Sequence, residues 1–144
     1  MNNKDLKKTI KSVMHSLVFE KGYACAVDVL MKLEYLSEKD YNDWRFGKIE
    51  FLEKVCNINL GKLSTINLTI RKIANEMNLK SSWTGYNQYG KGTKHRLIFS
   101  KSRIKNIEDT YATHYLNLER IEELKKYKSQ PVTRGVFHAG FLPD

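Results

Sequence analysis

Residues 61–99 read GKLSTINLTIRKIANEMNLKSSWTGYNQYGKGTKHRLIF, and this stretch decides the fold. Leu63, Ile66, Ile70, Ile73, Ala74 and Met77 fall at offsets 0, 3, 7, 10, 11 and 14. That spacing keeps one apolar stripe over four turns and predicts an amphipathic helix from about Gly61 to Asn78. Behind it, Ser82–Tyr89 is rich in Trp, Thr and Tyr, and Arg96–Phe99 is rich in apolar residues. The glycines of Gly90-Lys91-Gly92-Thr93-Lys94 supply the backbone freedom that a turn needs, so 82–99 reads as a β-hairpin.

The same region carries the charge. The net charge is +9, and residues 80–105 hold seven Lys or Arg with no Asp or Glu. The remainder of the chain is nearly balanced. Lysine and arginine that neutralise phosphates release condensed counterions, so a one-sided cationic segment interleaved with aromatics points to nucleic acid.

Outward from this core the pattern stays helical. Leu6, Ile10, Val13, Met14, Leu17 and Val18 recur at spacings of three and four, and Gly22 is a stop. A second helix is expected over Ala24–Tyr35. A third is expected over Glu38–Phe46, with Ser37 as its N-cap and Asp40 completing a capping-box-like pattern. Ile49–Cys56 is a further apolar segment, read as helical. Asn106 is the expected cap of a long helix from Ile107, or of two helices joined near Asn117. Residues 1–128 are expected to form one domain, because 144 residues suit a single core. Residues 129–144 contain both prolines and read as an irregular tail.

Composition excludes several classes. The apolar runs are too short to span a bilayer. The N-terminus lacks the apolar core of a signal peptide, and two cysteines are too few for a disulfide framework, so a cytoplasmic location is expected. The four histidines are scattered, with no metal-ligand spacing. No phosphate-binding glycine motif is present. Asp40, Asp43, Glu50 and Glu53 make a local acidic cluster of the type that holds Mg²⁺ in nucleases, yet carboxylates at helical spacing are ordinarily a solvated face. The expectation is a non-enzyme with no cofactor and no metal site.

A run of helices, one strong helix and then a basic hairpin resembles a winged helix-turn-helix domain over roughly residues 24–100. The resemblance implies an α+β, mainly helical fold with one basic β-hairpin and a C-terminal helical extension. It also implies that helix 61–78 enters a DNA groove while the hairpin wing touches the backbone. The strings DYNDWRFGKIEFLE, NLGKLSTI and YATHYL also look like those of a small family of bacterial proteins without an assigned function.

The expected nucleic-acid contacts are therefore Ser64, Thr65, Asn67, Arg71 and Lys72 on the helix, and Tyr86, Tyr89, Lys91, Lys94, Arg96, Lys101 and Arg103 around the wing. Asn67 and Arg71 lie one turn apart, and Asn and Arg side chains pair with adenine and guanine edges. Trp44, Tyr41, Trp83, Cys25 and Cys56 read as packing residues, Arg45 as a surface residue, and His114 as structural. The leading expectation is a small duplex-DNA-binding protein, a transcription regulator or mobile-element accessory factor. The competing one is a protein-binding module, such as a phage or mobile-element inhibitor of a nucleic-acid-processing complex. Acidic segment 34–53 and Glu119, Glu122 and Glu123 support the second.

Overall fold

A computed structural model describes residues 3–129, and the expected irregular tail lies outside them apart from Ser129, the last residue of the final helix. The architecture is α+β and mainly helical. The helices are α1 (Asn3–Lys21), α2 (Ala26–Lys32), α3 (Glu38–Arg45), α4 (Leu60–Glu76), α5 (Lys105–Ala112) and α6 (Leu118–Ser129). The strands β1 (Tyr23–Cys25), β2 (Lys80–Trp83) and β3 (Thr113–Leu116) form one antiparallel sheet in the order β1-β3-β2. A single 3-10 turn, Leu52–Val55, stands where the apolar segment Ile49–Cys56 suggested a helix.

The α1 and α4 stripes are the inward faces expected of them. Leu6, Ile10, Met14 and Leu17 meet Leu63, Ile66, Ile70 and Ile73 in one buried cluster, which also takes in Val27, Leu30 and Trp44. Burying each such aliphatic side chain contributes about 1.5–3 kcal/mol before entropy is counted. Local signals fix the ends. Ser37 Oγ accepts the Asp40 N–H at 3.0 Å, and Asn59 Oδ1 accepts the Lys62 N–H at 2.8 Å. Each satisfies one of the donors that a helix start leaves free. Asn59 starts α4 one residue ahead of the expected Gly61. Gly22, at φ +86°, ends α1 in the left-handed region, and a Cβ there would lie 2.5 Å from Ile121 Cγ1. It therefore both terminates α1 and admits α6.

Three expectations give way to long-range pairing. The second helix begins later than Ala24 because Tyr23, Ala24 and Cys25 pair with Leu116, Tyr115 and His114. Of the two readings after Ile107, the single long helix gives way and two helices form, α6 starting after Asn117, but Thr113–Leu116 between them is the central strand of the sheet. Helix α5 starts at Lys105 after Ile104, so Asn106 is not its cap. The hairpin 82–99 is also reorganised. Strand β2 pairs along its length with β3, with Lys80 opposite Leu116 and Trp83 opposite Thr113. Within 84–99 only one bridge forms, Asn87 to Arg96, flanked by Leu97 N–H to Tyr86 O and Gln88 N–H to His95 O, each 2.8 Å. The physical reason lies at Ile98 and Phe99. The Ile98 carbonyl accepts the Trp44 indole N–H at 2.8 Å and the Leu52 N–H at 3.1 Å, and Phe99 O accepts the Glu53 N–H at 2.9 Å. These carbonyls serve the core and leave β2 to another partner.

Candidate nucleic-acid interface

The sheet makes 84–112 a single long excursion between two paired strands, and all the cations of interest sit on it or at its ends. Lys80, Lys91, Lys94, Arg96, Lys101, Arg103 and Lys105 are all exposed. Only Arg103 and Lys105 of these seven are paired with a carboxylate, to Glu50 at 3.4 Å and Asp109 at 2.6 Å. The Lys94 ammonium donates to the Gly90 carbonyl, which closes the tip of the excursion. Gly90 and Gly92 carry φ of +108° and +94°, conformations that an L side chain adopts only with strain.

Arg96 is held rather than free. Its guanidinium carbon lies 4.9 Å from the Trp83 ring centre, and its Nε donates to Asn87 Oδ1 at 2.9 Å. Gly85 lets it lie flat there, since a Cβ on Gly85 would meet Arg96 Cζ at 2.5 Å. Trp83, expected in the core, is 54% exposed and donates its indole N–H to Asp109 at 3.0 Å. It forms an outward platform on the edge strand.

Tyr86 moves the other way. It was expected at the nucleic-acid surface, but it is only 7% exposed. Its hydroxyl sits 3.0 Å from His114 Nε2 and 3.5 Å from Cys25 Sγ, and its ring packs on Trp44 and Phe99. Burial raises its pKa and keeps it a neutral phenol. Tyr86 is thus the inward anchor of the excursion. His114, read as structural, stacks on Tyr23 at 4.9 Å and is held below its ordinary pKa by burial. Cys25 and Cys56 are buried, as expected, and desolvation pushes both thiols up to about 12.

Sequence reasoning missed Arg45. Its guanidinium lies over Tyr89 at 3.9 Å and Tyr86 at 5.0 Å, and it faces Tyr41 at 5.9 Å. The Tyr89 N–H donates to the Arg45 carbonyl at 2.7 Å, and the Phe46 ring meets Tyr89 edge-on. Together these contacts clamp the base of the cationic tip to the end of α3. No local spacing in the sequence announces this set, because Tyr41 and Tyr89 are 48 residues apart. Tyr89 remains 41% exposed beside the cation.

The residues of α4 divide between two faces. Thr65 and Lys72 point away from the buried stripe, with Lys72 exposed and Thr65 half-buried. Ser64, Asn67 and Arg71 instead line a groove of about 620 Å³ that α4 shares with α5 and the segment before it. Lys101 and Tyr111 stand on the opposite wall. Asn67 and Arg71, expected to point together into a DNA groove, lie together in this groove of the protein itself. The acidic cluster is dispersed into structural roles. Glu53 accepts the Tyr111 hydroxyl at 2.7 Å and the Lys101 N–H at 3.0 Å, and Asp43 pairs with Lys39 at 2.8 Å. Among the described residues no group of His, Cys, Asp or Glu is placed to hold a metal ion, and no helix is long and apolar enough to cross a membrane.

No protein-family model matches this chain, and no curated protein or solved structure matches it either.

Proposed function

We propose that this is a winged-helix nucleic-acid-binding protein that docks on duplex DNA, with the 84–112 excursion as an enlarged wing. The observation that carries the reading is the set of five exposed cations on 80–105 with no carboxylate partner: Lys80, Lys91, Lys94, Arg96 and Lys101. Unneutralised cations on one segment favour a polyanion over a protein surface of mixed charge. The connectivity supports it too. Helix, strand, three helices ending in the long α4, and then β2 and β3 with α5 between them and β3 central in the sheet, is an order compatible with that reading. In this reading Thr65 and Lys72 of α4 approach the groove, Lys91 and Lys94 hold phosphates, and Arg96 on Trp83 lies along the backbone. Tyr86 positions the wing from beneath. Function as a regulator or as a mobile-element accessory factor is compatible with this chemistry.

A protein partner is the second reading. It is favoured by Phe19 and Leu118, both more than half exposed near the junction of α1 and α6, beside Glu119, Glu122 and Glu123. The test is a titration with generic duplex DNA at several salt concentrations, monitored by anisotropy. Binding that weakens steeply with salt supports the first reading. A folded protein that binds no duplex at low salt transfers the function to the second.

A further inference from the structure

The groove between α4 and α5 takes one wall from the later part of the excursion, Lys101–Tyr111, and its chemistry selects a different kind of ligand from that of the cationic tip around Gly90. We infer that it is a binding site for a small amphipathic organic anion, one with an apolar body, a hydrogen-bond donor and one acidic head group. The volume of about 620 Å³ falls within the range of sites that enclose small molecules, roughly 300–1,000 Å³. Leu68 and Ile107 face it from opposite walls, and Leu68 is 54% exposed. An apolar body that covers these side chains is favoured by the area it removes from water.

The polar groups define the rest of the ligand. Arg71 and Lys101 line the groove and make no ion pair or side-chain hydrogen bond, so two cations are available to a head group. The one carboxylate in the lining, Glu53, is already engaged by the Tyr111 hydroxyl and the Lys101 backbone N–H. The Asn67 Oδ1 atom is buried with no donor, and a buried acceptor left unmade costs about 1–3 kcal/mol. A ligand N–H or O–H would satisfy it. Apolar walls and two free cations therefore converge on the same space, with the Asn67 acceptor buried at its wall.

The probe is 8-anilinonaphthalene-1-sulfonate, which has fused rings, an N–H and an anionic head. Its neutral counterpart, N-phenyl-1-naphthylamine, keeps the rings and the N–H. Fluorescence titration should give one sulfonate dye per chain, bound more tightly than the neutral amine. Arg71→Gln and Lys101→Gln should each weaken the sulfonate about fivefold, as expected for exposed ion pairs, and leave the neutral amine within about twofold. Ser64→Trp, which fills the groove from an exposed position, should abolish binding of both dyes with an unchanged far-ultraviolet circular dichroism spectrum. Equal sulfonate affinity in wild type, Arg71→Gln and Lys101→Gln overturns the inference. So does undiminished binding by folded Ser64→Trp, or several dyes per chain that respond alike to every variant. DNA enters none of these measurements.

Discussion

The Tyr86 hydroxyl ties the 84–112 excursion to the sheet. It lies between His114 on β3 and Cys25 on β1, and its ring fills space against Trp44 and Phe99. Tyr86→Phe keeps the ring and deletes the bonds. The expected cost is about 1 kcal/mol, somewhat more because the His114 nitrogen is then left without its partner. Urea denaturation measures it, and duplex affinity should not change. A loss of affinity with no loss of stability would put Tyr86 back at the surface. Gly22 makes a second demand at this scale. Its φ of +86° and the 2.5 Å approach of Ile121 leave no room for a methyl group. Gly22→Ala should destabilise the fold by about 1–3 kcal/mol, seen as a lower thermal midpoint. A neutral effect would mean that the α1–α6 corner adjusts freely.

At the scale of the element, the sheet decides what the sequence could and could not announce. The stripes of α1 and α4 were legible because a helix encodes its buried face at short range: Leu63 and Ile66 are neighbours in both chain and space. The caps Ser37 and Asn59 and the stop at Gly22 are also local, although only Ser37 and Gly22 were read. Strand β3 was not legible. Ile107, Tyr111 and Tyr115 keep a helical period, and only the distant β1 and β2, which pair with 113–116 on both sides, make it a strand. The 84–99 segment was illegible for the same reason. Nothing near Ile98 shows that Trp44 and Leu52 will claim its carbonyl. Of the site, the cations were legible as composition, but the aromatic clamp on Arg45 and the α4–α5 groove depend on packing.

The same sheet gives a pH prediction. His114 is half-buried and its pKa lies below the ordinary 6.5, first because burial penalises the charged ring. Asp28 opposes that shift and Lys21 reinforces it. The unfolded chain then binds the proton more tightly than the fold does. Stability is fully present above about pH 6.5 and is lost as pH falls from there towards the lower folded value. His114→Gln should flatten this part of a plot of urea midpoint against pH. A slope that survives the substitution would assign it to other groups.

For the whole molecule, charge is the property that separates affinity from architecture. The cations of the excursion tip make no ion pair and no bond to the core: Lys94 donates to the exposed Gly90 carbonyl, and Arg96 rests on the exposed Trp83 and Asn87. Removing their charge should therefore leave stability intact while changing association. Lys91, Lys94 and Arg96 replaced together by Gln should weaken binding about equally on unrelated duplexes. The log–log dependence of affinity on salt should become shallower by about one unit for each phosphate contact removed. Lys105 provides the contrast. It is equally exposed but already neutralised by Asp109 at 2.6 Å. Lys105→Gln should shift neither slope nor affinity appreciably, because its charge is already partnered. If the triple variant and Lys105→Gln behave alike, bulk charge governs binding and the excursion has no privileged role. If only the triple variant loses salt dependence, the phosphate contacts belong to the excursion that β2 and β3 hold out.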